Sequence, residues 1–168
     1  DYKFARTRLL EPASINFPRL ESVITESTYG SKDDVLPPRK DVEDRFINLI
    51  NSVIERGGKV LIPELGLGRA QETMLVLEDA IRFGRMKDLP IYIDGMIWDI
   101  NAIHTAYPDF LNNRIKAMPF QDKNPFTSEL FKRVGSPEER KQVVEGGPCV
   151  VLATSGMLMG GASVEYFK

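Results

Sequence analysis

The spacing of hydrophobic positions changes several times along the chain, and each change predicts an element. Ser22–Thr25 carries the β-branched pair Val23 and Ile24, ends at Glu26 and breaks into a polar turn closed by Gly30, so it reads as a short strand. From about Arg39 to Arg56 the residues Val42, Phe46, Leu49, Ile50 and Val53 recur at helical spacing, and Gly57-Gly58 stops the helix. Lys59–Ile62 is a strand with the continuous apolar run Val60, Leu61, Ile62, the pattern of burial on both faces. Helical spacing returns from Arg69, with Ala70, Met74, Leu77 and Ile81 on one face, and ends near Gly84. Ile91–Asp94 is a further strand, Met96–Ala106 a helical region and Arg114–Met118 a short strand. Short helices are predicted over 128–134 and 137–145, the second with Pro137 near its first position. Cys149–Ala153 is the last strand, again wholly apolar, and Ser163 caps a final helix.

Strands and helices alternate, and the strands are apolar throughout. That combination predicts an α/β domain of Rossmann-like, three-layer form, with a mostly parallel central sheet and helices on both faces.

Composition narrows the setting. The 168 residues are enough for one domain with a real core, and a net charge of −2 gives no global basic field. A basic groove on a near-neutral domain stays open. The sequence has no apolar run of membrane-spanning length and no signal peptide at its start. One cysteine, Cys149, permits no internal disulfide and fits a reducing, cytoplasmic setting. With His104 the one histidine, the chain cannot assemble an ordinary catalytic zinc site, which needs several such ligands. The chain opens at Asp1 and closes where a helix begins, so it is expected to be a piece of something larger.

In a parallel sheet the carboxyl ends of the strands form the crevice where ligands sit. Three stretches there carry chemistry. Glu26 comes where its apolar run stops and is placed to orient a histidine, hold a metal ligand or move a proton; its plainer role is to cap the loop. Gly66-Leu67-Gly68-Arg69 joins a strand to a helix, so amides and helix dipole converge as a phosphate requires, and Arg69 adds a fork of donors. It lacks the third glycine of GxGxxG and the GK[ST] of a P-loop, and a tight turn with a salt-bridged Arg69 explains it equally. The last stretch, Thr154 to Ser163, offers the hydroxyls of Thr154, Ser155 and Ser163 and the amides of Gly156, Gly160 and Gly161 to an anion; alternatively the glycines only supply unusual backbone angles. A carboxylate beside two such cradles points to a phosphodiester. His104, Cys149, Trp98 and Tyr107 read as packing residues.

The stretches ITESTYG, KVLIP with LGRAQE, PIYIDGM and LATSGMLMGGASVEYFK stand in this order and cover nearly the whole chain. They resemble the β-CASP domain of zinc-dependent ribonucleases of the metallo-β-lactamase superfamily, and MIWDINAIHTAYPDFL is similar to the archaeal relatives of the cleavage and polyadenylation specificity factor nuclease. The resemblance implies that residues 1–168 are a β-CASP domain, with 1–20 leading in from a metallo-β-lactamase domain of the same parent. It implies a cleft between the two domains that holds two zinc ions, carried mostly by an HxHxDH motif, and a zinc-bound hydroxide that attacks RNA. It further implies Glu26 as the acidic residue orienting a catalytic histidine, Asp1 as the ligand bridging the zincs, and Arg69 with the 154–163 loop facing RNA phosphates. A homodimeric parent cutting single-stranded RNA in transcription termination is the activity implied, with no zinc bound by this chain alone. HxHxDH and the later family histidines are absent, and Glu64 and Gly66 replace small apolar residues of the family loop. Two other readings stay open: a non-catalytic RNA-binding or scaffolding relative, and a nucleotide-binding Rossmann-type domain.

Overall fold

The computed structural model describes residues 2–118 and 124–167. Four strands, β1 (Val60–Pro63), β2 (Ile91–Asp94), β3 (Phe131–Val134) and β4 (Val150–Ala153), form one sheet in the order β1-β4-β2-β3. Every pairing is parallel, with Val60 and Ile91 both opposite Val150, and Ile91 opposite Phe131. The helices are α1 (Arg39–Glu55), α2 (Arg69–Arg82), α3 (Ile97–Ala106), α4 (Asn113–Ala117), α5 (Pro137–Glu145) and α6 (Ala162–Phe167).

Side chains alternate across each strand, so the shared register sorts them onto two faces. Val150 and Leu152 of β4, Ile91 and Ile93 of β2 and Phe131 of β3 join a cluster with Ile47 and Ile50 of α1, Met74 and Leu77 of α2, Ile97 of α3 and Ile115 of α4. Val151 and Ala153, with Val134, pack on the other face against Val143 of α5 and Ala162 of α6. Three layers result, as the apolar strands predict. The α2 face holds as expected: Ala70, Met74 and Leu77 are buried. The α1 face is rotated: Ile47 and Ile50 are buried, whereas Val42 and Leu49 are exposed.

Three expected elements differ. Residues 22–25 form no strand; Val23 and Ile24 are exposed, because none of the four sheet strands lies alongside to pair their backbone. Residues 128–134 are not a helix but contain β3, where pairing with β2 overrides the helix preference of Glu129, Leu130 and Lys132. Residues 114–117 lie in α4 rather than a strand, with Met118 just beyond its end, since the Asn112 side chain accepts a hydrogen bond from Ile115 N–H at 3.0 Å and caps the turn.

The segment before α1 is held at one point. Leu9 is buried, and Glu72 of α2 accepts from the backbone N–H groups of Arg8 (3.1 Å) and Leu9 (2.7 Å). Asn112 Nδ2 donates to the Arg8 carbonyl at 2.6 Å. The Arg8 guanidinium forks onto Glu43 of α1 at 2.9 and 2.7 Å and also pairs with Asp79 of α2. Asp79 further pairs with Arg82 and, at 3.2 Å, with Arg114 of α4. Burial works against ionisation of Asp79, but the Arg8 hydrogen bond and the charges of Arg8, Arg114 and Arg82 overcome it and hold its pKa below the usual value.

Candidate functional site

The carboxyl ends of β1, β4 and β2 lie side by side, and the loops that leave them interlock. Glu64 N–H donates to the Ala153 carbonyl (2.9 Å), and Thr154 N–H donates to the Asp94 carbonyl (3.3 Å). Gly156 lies against the backbone of Glu64: a Cβ on it would stand 2.9 Å from the Glu64 carbonyl carbon. A Cβ on Gly95 would overlap the Thr154 hydroxyl. Glycine at these positions is what lets three loops share one edge.

The 154–161 loop is shaped from within. Ser163 N–H donates to the Thr154 carbonyl and Ser163 Oγ to the Ser155 carbonyl, both at 2.7 Å. Ser163 is 0 % exposed, so its hydroxyl holds the loop's backbone rather than standing on its surface. Gly161 takes φ +73°, with a Cβ position 2.8 Å from the Thr154 carbonyl oxygen. Thr154, Ser155, Gly156 and Gly160 are half-buried along the same loop, whereas Met157 and Met159 are exposed.

The 64–68 loop is shaped by a residue that the phosphate-cradle reading passes over. Gln71 is 0 % exposed. Its Oε1 accepts from Gly68 N–H at 2.7 Å, and its Nε2 donates to the Gly66 carbonyl and to Asn101 Oδ1, each at 3.0 Å. Glutamine three residues after the cap is the sequence signal that reveals this role. Arg69 follows at the head of α2, exposed, and no carboxylate lies within ion-pair distance of it among the described residues, although its charge acts on Glu64.

On the opposite face Asp94, the last residue of β2, is buried at this edge. Arg140 of α5 forks onto it at 2.8 and 3.2 Å, and Tyr166 of α6 donates its hydroxyl to Asp94 Oδ2 at 3.0 Å. The Asp94 hydrogen bond raises the Arg140 pKa; burial, then the Asp94 charge, raises that of Tyr166. Asp94 fastens both helices to the sheet. An acid ending an apolar strand just before Gly95 is the sequence signal for it.

The structure brings Arg69, Thr154, Ser155, Gly156, Gly160, Gly161 and Ser163 to the carboxyl edge, on two adjoining loops. Glu26 is fully exposed and precedes the Ser27–Gly30 turn rather than ending a strand. Its carboxylate accepts from Thr28 N–H at 2.8 Å, and that hydrogen bond lowers its pKa. Asp1 lies outside the described residues. Among the described residues no three His, Cys, Asp or Glu side chains group as a metal ion requires. His104 is packed, Nδ1 at 2.8 Å from the Ile100 carbonyl and the ring 5.6 Å from that of Phe126. Cys149 is a core thiol whose pKa burial pushes up. The described residues do not fit a zinc site. Trp98 lies under Arg133 at 5.9 Å, but Tyr107, expected to pack, is 63 % exposed. No helix among the described residues is long and apolar enough to cross a membrane.

An all-parallel α/β sheet whose glycine-bearing loops meet at the carboxyl edge defines the class. Within it, the family model described as the Beta-Casp domain matches residues 70–168, and the chain belongs to that family. The chain is 55 % identical over 170 residues to the transcription termination factor FttA of Methanocaldococcus jannaschii, 52 % over 170 residues to that of Pyrococcus abyssi, and 50 % over 169 residues to that of Lokiarchaeum sp.. Each match takes in the whole of this chain but only 26–27 % of the relative, so the chain spans about a quarter of their length.

Proposed function

We propose that this chain is the RNA-facing domain of a larger RNA-processing nuclease that acts in transcription termination. It holds single-stranded RNA against a metallo-β-lactamase domain of the same parent, which works as a homodimer and carries two zinc ions. The observation that supports this reading most is the exposed Arg69 at the head of α2, without an ion-pair partner among the described residues, beside a second glycine- and hydroxyl-bearing loop. A guanidinium without a carboxylate partner is free for a phosphate, and phosphate contacts supply the sequence-independent part of nucleic-acid affinity. The names of the relatives add the setting: they are termination factors, similar to this chain along its whole length.

Arg69→Ala is expected to weaken binding of a labelled single-stranded RNA to this chain about tenfold and to lower the salt slope by about one, read by fluorescence anisotropy across a salt series. Unchanged affinity and slope would remove Arg69 from the interface. The chain alone is expected to cut no RNA, since its described residues offer no metal-binding group. Chelator-sensitive turnover that survives Glu26→Ala would mark a contaminant, whereas turnover abolished by Glu26→Ala would overturn the expectation.

A further inference from the structure

Glu64 lies at the junction of the two loops and is not accounted for by phosphate binding. It directly follows β1, its backbone packs under Gly156, and its half-buried side chain accepts a hydrogen bond from Thr73 Oγ1 at 2.7 Å through Oε1. Among the described residues, Oε2 has no hydrogen-bond partner and no cation lies within ion-pair distance of the carboxylate, although Arg69 is near enough for its charge to act on it. Burial raises the Glu64 pKa, while the Thr73 hydrogen bond and Arg69 oppose that rise.

A carboxylate beside a phosphate cradle repels the phosphate. It adds binding only when the ligand brings a hydroxyl or amino donor at a fixed offset from that phosphate. In a nucleic acid the donor that accompanies every phosphate, whatever the base, is the ribose 2′-hydroxyl, which DNA lacks. Oε2 is open to water in the free chain, and DNA would displace that water without offering a donor, so discrimination comes from that penalty as well as from the bond. Building on the RNA-binding reading above, we propose that Glu64 is a specificity-determining residue: it accepts a hydrogen bond from a ribose 2′-hydroxyl of the strand held at Arg69, and so makes this edge select RNA over DNA.

The test is an anisotropy titration of this chain with one uridine oligomer in three forms, ribose, 2′-deoxy and 2′-O-methyl. The bases are identical, so only the 2′ position varies. Wild type is expected to bind the ribose form about tenfold tighter than either of the others, the scale of one hydrogen bond to a charged group. Glu64→Ala should bring the ratio close to one, partly by strengthening binding of the deoxy form as repulsion is lifted. Glu64→Gln, which keeps a carbonyl acceptor and the Thr73 contact, should retain part of the preference. The 2′-O-methyl arm needs no variant, so a misfolded mutant cannot hide the answer. Binding that Arg69→Ala weakens but that shows no ribose preference overturns the Glu64 assignment alone. A ribose preference unchanged in Glu64→Ala overturns it equally. No binding of any form, or binding indifferent to Arg69→Ala, overturns the RNA reading and the assignment with it.

Discussion

Asp79→Ala is expected to destabilise the fold by about 3–5 kcal/mol, the cost of removing one partner from a buried ionic cluster. Asp79 is 5 % exposed and pairs with Arg8, Arg82 and Arg114. Without it the Arg8 guanidinium keeps Glu43, but one end of its fork points into a desolvated site with no acceptor. In a domain of this size that loss is on the order of 10 °C in Tm, measured by thermal unfolding. The effect should reach further than α2, because Arg8 and Leu9 tie the preceding segment to α1 and α4. Faster amide exchange at Leu9 and Asn112 is the expected companion. The pH dependence has a definite sign. The folded pKa of Asp79 lies below its unfolded value, so its stabilisation is present above about pH 4 and is lost as pH falls through the folded pKa. Wild type should therefore lose more stability between pH 5 and pH 3 than Asp79→Ala does. Equal acid sensitivity of the two proteins, or a Tm change below about 2 °C, would show that the cluster contributes little.

The second large effect is expected at Gly161. Alanine there must adopt φ +73° and place its Cβ 2.8 Å from the Thr154 carbonyl oxygen and 3.2 Å from Ser155 N. Both neighbours are backbone, so neither can swing aside as a side-chain tip would. Left-handed strain costs roughly 1–2 kcal/mol and overpacking against fixed atoms roughly 1–3, about 3 kcal/mol together. Relief requires the loop to open, which breaks the bonds from Ser163 to the carbonyls of Thr154 and Ser155. The RNA affinity of the chain should fall more than tenfold, with the change in Tm confirming the strain. Gly147→Ala is the control: a Cβ there meets nothing within 4 Å, and the residue lies between α5 and β4, away from the carboxyl edge. If Gly161→Ala binds RNA as wild type does, the 154–161 loop has no part in holding the strand.

Much of this protein is written in local sequence. The apolar runs Val60–Ile62 and Val150–Ala153 announce a parallel α/β sheet without reference to the rest of the chain, and Val150–Ala153 is buried at every residue, whereas Val60–Ile62, on the edge strand, is only half-buried. Ala70, Met74 and Leu77 mark the buried face of α2 for the same reason: periodicity reports burial directly. The loops after β1 and β4 are visible as glycine and hydroxyl clusters, and the order of the motifs brings the family resemblance. The identities that depend on a distant partner are a different matter. Val23 and Ile24 have strand character but no neighbouring strand, while Phe131–Val134 has helix-forming residues yet lies beside β2, and there pairing decides. Gln71, Asp94 and Glu64 look like ordinary polar residues at element ends. Their roles come from Asn101, from Arg140 and Tyr166, and from Thr73 and Gly156. A hydrogen bond or ion pair acquires its meaning from burial and from the group opposite it. Both are set only when the sheet closes and brings residues 9 to 92 positions apart into contact.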